Sequence, residues 1–291
     1  MATAAAAPRF GDPVVAGPMA EPQNNEASGL AASRRTAGLL WTHNDSGGEP
    51  VLFALGADGA ARGRIRLAGQ SNRDWEDIAA FELDDRAWLL IADVGDNNAE
   101  HARCYLHVVA EPDAAQLSSD RELVVPADYS IVFVYPDGPR DCESVAVDAR
   151  ERAVYLLSKR NHPPRLYRLP LTAATAAKPA VAEYLGPVPH LPGPSDLDRL
   201  VPLPTHAFRA QPTAMDFLAD GSAALVLTYG TLCYFPRAAG ETWADALARE
   251  PIVLPGFSLP QAEAACFTPD GRAIYIASEN THDLLRYDRR E

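Results

Sequence analysis

Short apolar runs separated by Pro, Gly and Asp turns fill this chain, and they recur as one phrase. In QAEAACFTPDGRAIYIASE at 261–279, Glu263 opens an apolar run, Pro-Asp-Gly makes a turn, and Tyr275, twelve residues after the glutamate, sits in a second run. The phrase returns at Glu143 (ESVAVDARERAVYLLSK) and at Glu76 (EDIAAFELDDRAWLL), with Tyr155 and Trp88 at the same twelve-residue step. Thr213 to Leu225 repeats it with threonine in the glutamate's place, and Glu26 repeats it with a longer turn, Trp41 lying fifteen residues on. Each period near fifty residues holds several short strands, which predicts an all-β propeller rather than a solenoid.

Within each unit the phrase supplies strand A and the returning strand B, and runs such as VLFAL, CYLHVV, RLYRL, LCYF and LLRY supply strand C. Ile65, Val132 and Ile252 each precede the next unit's glutamate by eleven residues and mark strand D; Val15 stands in the same relation to Glu26. The N-terminal PVVAGP therefore predicts the missing outer strand of the last unit, which closes the ring and removes two open edges. A strands beginning near 26, 76, 143, 213 and 263 count five blades; six would be reached if an insertion hides one. Insertions at 97–128 and 188–211 lengthen the second and third units. The second carries Leu197, Leu200, Val201, Leu203 and Phe208, which fit either a lid over a channel mouth or a surface loop.

The repeat spans nearly all of residues 1–291, with no linker-like run between halves, so one domain is expected. The net charge of −13 sets the chain apart from proteins that bind a nucleic-acid backbone or an anionic membrane. No apolar run of about twenty residues exists, so no membrane span is expected, and the chain is read as a monomer. The alanine-rich start has no basic lead, so as written it is not a signal peptide and a cytoplasmic location is expected; a trimmed terminus would instead mean a periplasmic or secreted protein. Cys104, Cys142, Cys233 and Cys266 fall inside strands at no metal-like spacing and read as buried thiols rather than a disulfide pair.

Strand A runs along the channel and strand B returns beside it, so the starts of A and the ends of B share one mouth. That mouth collects Glu26, Glu76 with Asp77, Glu143 and Glu263, together with the loops carrying His43-Asn44-Asp45, Asp93, Asp96-Asn97-Asn98, Lys159-Arg160-Asn161-His162 and Glu279-Asn280-Thr281-His282. The asparagines also suit tight turns. A glutamate repeated at the start of an inner strand is not a β preference. The set reads either as ion ligands or as acceptors for a neighbouring blade's backbone. Oxygen donors favour a hard cation such as Ca²⁺ over zinc. Trp41, Trp75 and Trp88 read as packing between blades.

The phrases WTHNDSGG, DWEDIA, IADVGDN and YPDGPRDCESVAVD resemble a group of bacterial β-propellers related to the phytase-associated esterase-like and NHL-type propellers. More distantly, the acidic mouth resembles the gluconolactonase and paraoxonase propellers. That resemblance implies a catalytic Ca²⁺ held at Glu26, Asn44, Glu143, Asn161 and Glu263; five blades depart from the six usual there.

Two functions follow. One is a Ca²⁺-dependent hydrolase of a small lactone, ester or phosphoester, with Glu26, Asn44, Glu76, Glu143, Asn161 and Glu263 as metal ligands. Histidines suited to proton transfer near neutral pH would serve it: His43 first, with Asp45 on its loop, then His162 and His282. The other is a non-catalytic propeller whose acidic mouth binds a small ligand, a protein or only an ion.

Overall fold

The computed structural model of the chain describes residues 8–193 and 208–290. Two N-terminal strands, β1 (Arg9–Phe10) and β2 (Val14–Pro18), lie along the chain's last strand. The first blade follows as β3 (Ala27–Ala32), β4 (Leu39–Asn44), β5 (Val51–Gly56) and β6 (Ala61–Ala68), and the second as β7 (Trp75–Leu83), β8 (Arg86–Asp93), β9 (Cys104–Ala110) and β11 (Tyr129–Val134). The third is β12 (Cys142–Asp148), β13 (Ala153–Ser158), β14 (Arg165–Pro170) and β16 (Glu183–Pro187). The fourth is β17 (Pro212–Phe217), β18 (Ala223–Thr228), β19 (Leu232–Pro236) and β20 (Ile252–Val253). The fifth is β21 (Ala262–Phe267), β22 (Ala273–Ser278) and β23 (Asp283–Arg290), completed by β2. This is a five-bladed β-propeller.

The ring closes as its two ends predict. Val15 pairs with Leu285 in the antiparallel β2–β23 ladder, and β1 extends the cover to Arg289 and Arg290. Five apolar cores, one at each junction between blades, hold the ring. The closing one packs Met19, Leu30, Leu40 and Leu55 against Cys266, Tyr275 and Leu284. Between the first and second blades, Trp41 and Trp75 are wholly enclosed, which makes them packing residues. Burying side chains of this size contributes about 2–3 kcal/mol each. All four cysteines are free and buried in these layers.

The insertion in the second unit supplies more than a loop. Its strand β10 (Leu123–Pro126) runs back to pair in parallel with β6 of the first blade, covering that blade's outer edge. The third unit does the same on a smaller scale, placing β15 (Ala180–Val181) parallel to β11. Exposed edges are a hazard that these added strands blunt. Leu197, Leu200, Val201 and Leu203 lie outside the described residues. Among the described residues no helix is long and apolar enough to cross a membrane.

Candidate functional site

Every A strand begins with a β-bulge, and the bulges align the blades better than the sequence phrase does. The ladder slips at Ser28, Glu76, Glu143, Thr213 and Glu263, each between a residue paired to the end of strand B and the next paired residue. A bulge re-aims one side chain, and these five form the innermost ring of the mouth. Glu26 is therefore not the counterpart of Glu76; Ser28 is. Glu26 sits two residues earlier and is exposed, in register with Asp74, Asp141, Gln211 and Gln261. The carbonyls of Glu26, Asp141 and Gln261 accept from the amides of Asp45, Lys159 and Glu279. A third ring, of the residues that follow strand B, thus contributes Asp45, Lys159, Tyr229 and Glu279.

The rings bring carboxylates together in two groups. Oxygen atoms of Asp45, Asp74 and Glu76 lie within 4.8 Å of one another, as do those of Glu76, Asp141 and Glu143. Glu76 belongs to both. Asp74 is 9 % exposed and Glu76 4 %. Among the described residues nothing donates a hydrogen bond to the Asp74 carboxylate. Glu76 receives only a long contact from Ser28 Oγ, at 3.4 Å. Gly95 covers the pair, and a Cβ there would run into Asp74 Oδ2 and Glu76 Oε1.

Crowding like charges in this way resists ionisation. Burial, then the charges of Asp45 and Asp141, hold Asp74 up at about 6. Burial, then Glu143, push Glu76 well above the carboxylate range. Burial raises Glu143 as well, against the pull of Lys159, and burial with Glu279 lifts Glu263 to about 7. A relay of contacts joins the second group to Glu263: Lys159 Nζ bonds Glu143, and donates to Tyr229 Oη at 2.9 Å, which donates to Glu263 Oε1 at 2.8 Å.

The remaining candidates are placed elsewhere or are already engaged. His43 is fully buried between the first two blades, its ring edge-on to Trp75 at 5.7 Å. Burial lowers it to about 4. It follows strand pairing into the blade interface rather than pointing into the mouth. His162 and His282 are exposed on their loops. Asn44 is spent on the segment before β3, with Oδ1 accepting from Glu26 N at 3.2 Å and Nδ2 donating to Gln23 O at 2.6 Å. Asn161 Oδ1 accepts from Arg140 at 3.3 Å. Asp45, Glu76 and Glu143 of the sequence candidates converge on the carboxylate groups, and Glu263 lies one tyrosine away.

Asp74, Asp141 and His101 were missed as site residues. The first two had a signal: RDWE at 73–76 and RDCE at 140–143 share Arg-Asp-x-Glu, and no other blade does. His101 Nδ1 lies 3.1 Å from the Gly95 carbonyl. Its amide donates to Asp96 Oδ2 at 2.8 Å.

The donor set fits a hard divalent cation: it is all carboxylate oxygen, buried except for the half-buried Asp45, and includes one carboxylate with no donor of its own among the described residues. No family model matches the sequence, and no curated protein matches it. Among solved structures the chain is similar to a gluconolactonase from Xanthomonas campestris, at 12 % identity over 91 % of this chain and 73 % of that one, with a TM-score of 0.46. It is also similar to the PQQ-bound form of an aldose sugar dehydrogenase from Streptomyces coelicolor, at 11 % identity over 98 % and 100 %, with a TM-score of 0.49. These are likenesses of fold alone.

Proposed function

We propose that the mouth binds a divalent cation, Ca²⁺, and that the protein is a metal-dependent hydrolase of a small lactone, ester or phosphoester. The observation that carries the reading is Asp74: a nine-tenths buried carboxylate without a hydrogen-bond donor, facing two further carboxylates. Buried charge of one sign is costly unless a counter-ion neutralises it. Asp45, Asp74 and Glu76 would hold the ion, with Asp141 and Glu143 offering a second position through the shared Glu76. When bound, the cation would polarise the scissile carbonyl or phosphoryl oxygen. His101 replaces His43 as the proton-transfer group. With Nδ1–H given to the Gly95 carbonyl, Nε2 keeps its lone pair to accept a proton from water.

Assays of lactone, aryl-ester and phosphoester substrates in Ca²⁺ and in chelator test the reading. The expected result is metal-dependent turnover that Glu76→Gln abolishes and His101→Ala lowers by about a hundredfold. Turnover that survives both changes would remove these residues from the mechanism. Calcium binding without turnover on any class would leave a ligand-binding propeller.

A further inference from the structure

We infer that the substrate carries an anionic oxygen group, a phosphate or carboxylate, and that Lys159 and Arg160 receive it; this rests on the cation reading above. A cavity of about 570 Å³ opens beside the carboxylates and is lined by Lys159, Arg160, Phe208, Gln211, Tyr229 and Leu259. Arg209 lines it as well, and the other two cations are each tied to one carboxylate of the second group: Lys159 Nζ to Glu143, and Arg160 Nε to Asp141 Oδ2 at 2.7 Å. A divalent cation at Glu76, Asp141 and Glu143 competes for those same oxygens. As they turn to the ion, the ammonium and the guanidinium give up their carboxylate partners while still facing the cavity, Arg160 being held by Asn97 Oδ1. Tyr229 Oη keeps Lys159 in place.

The consequence is a charge switch between neighbouring sites. Without the cation, the lining groups Lys159, Arg160, Tyr229 and Gln261 are engaged by Glu143, Asp141, Glu263 and Glu279 standing behind them, and an entering anion is repelled by those carboxylates. With it, the carboxylates are neutralised and two strong donors are released from them, one of them a planar fork suited to an oxyanion. Phe208 and Leu259 offer an apolar wall to the organic part of the ligand. Cation and anion must then bind with positive coupling, which is reciprocal between the two ligands. The inference selects phosphoesters and carboxylate-bearing lactones or esters over neutral ones.

Calorimetric titration of phenylphosphonate, with benzamide as the neutral counterpart, tests this in Ca²⁺ and in chelator. Phenylphosphonate should bind in Ca²⁺ at least about tenfold more tightly than in chelator, within the usual range of such couplings, and benzamide should show no such difference. Lys159→Met and Arg160→Met should each weaken phenylphosphonate by about tenfold or more while Ca²⁺ still binds. Arg160 is half-exposed, so its variant keeps the test open if the buried Lys159 change unfolds the protein. Calcium binding intact with phenylphosphonate no tighter than benzamide overturns the anion site and leaves the cation reading standing. Phenylphosphonate bound equally well in chelator overturns the coupling, and a protein that binds no Ca²⁺ overturns both.

Discussion

Glu76 and Asp77 are neighbours on one strand, both buried, and they differ in every other respect. Asp77 Oδ2 accepts from Val145 N at 2.7 Å and Met215 N at 3.3 Å, and Oδ1 from Ile78 N at 2.9 Å. Its carboxylate therefore ties the inner strands of the second, third and fourth blades. Asp216 continues the pattern, accepting from Phe267 N of the fifth blade at 2.9 Å. Among the described residues no backbone N–H donates to the Glu76 carboxylate, which faces other carboxylates. The acceptor role that suited the glutamates belongs to these aspartates, one residue past the bulge in the second blade and three past it in the fourth. A buried carboxylate with backbone donors is part of the scaffold; one surrounded by its own kind is held from ionising, and on that the cation proposal rests.

The sharpest way to break this contrast is to remove each group without metal. Asp77→Ala leaves three amides without their acceptor, two of them on other blades, and should cost about 4 kcal/mol in urea unfolding, with each buried orphan donor costing about 1–3 kcal/mol. Glu76→Gln in chelator should cost nothing, because it removes a charge from a crowded set. Equal losses for the two variants would show that Glu76 is also a strut.

The divide extends to histidine. His107, on β9, is 4 % exposed with Nδ1 2.9 Å from Ser130 Oγ, and burial, aided by Arg73, lowers it to about 4. Its folded value lies below the unfolded value of about 6.5, so the unfolded chain takes up the proton first. The stability from this group is complete above about pH 6.5 and is lost as pH falls toward 4, to the order of 3 kcal/mol. His107→Gln should flatten that acid limb. A variant whose stability falls in parallel with the native protein over this window would show that the histidine is already charged in the fold.

The fold was legible because the period is long and the pairs are local: a turn every few residues, an apolar run on either side, and a glutamate at the inner start of the second, third and fifth blades. The twelve-residue step was less secure than it looked. In the second blade the hairpin is two residues longer, its ladder running on to Leu83 and Arg86, so Leu90 stands opposite Ala79 where Tyr155 stands opposite Ala146. In the first blade the step led to Glu26, because a repeat read by residue type prefers a glutamate to the serine that occupies the bulge. His43 was misplaced for a related reason. Order along the chain puts it at the mouth, but the side that a strand residue faces depends on pairing, and here it faces Trp75. The Arg-Asp-x-Glu pair was visible throughout; only the bulges show why its aspartate and glutamate meet.

Calcium gives the next test. A hundredfold excess over Kd should add about 2.7 kcal/mol to unfolding, and Glu76→Gln should remove it because that residue serves both groups. Asp45→Asn and Asp141→Asn each weaken one group, and the larger loss identifies the tighter position. The shift should grow with pH. Asp74 is held up at about 6, so its folded value exceeds the unfolded one. The stability it gives is complete below the ordinary carboxylate range and is lost as pH rises through 6. Bound cation cancels that loss and competes with the proton. A calcium shift that is equal at pH 5 and pH 8 would separate the ion from these carboxylates.

The smallest change isolates the site from the scaffold. Gly95 has an ordinary backbone conformation, with no positive φ, so alanine is not strained there for backbone reasons. The nearest atoms a methyl group would meet are Glu76 Oε1 and the Cγ and Oδ2 of Asp74, all side-chain atoms. In chelator those carboxylates are mutually repelled and can turn aside, so Gly95→Ala should change unfolding by less than about 1 kcal/mol. With calcium they must return to converge on the ion, where the methyl group stands in the way. Calcium affinity should fall by about tenfold, equivalent to about 1.4 kcal/mol. The scaffold aspartates, which touch nothing near Gly95, predict the opposite order of effects. If Gly95→Ala destabilised the metal-free protein while leaving calcium affinity unchanged, the glycine would be serving the chain path, and the bare Asp74 carboxylate would lose its claim to an ion.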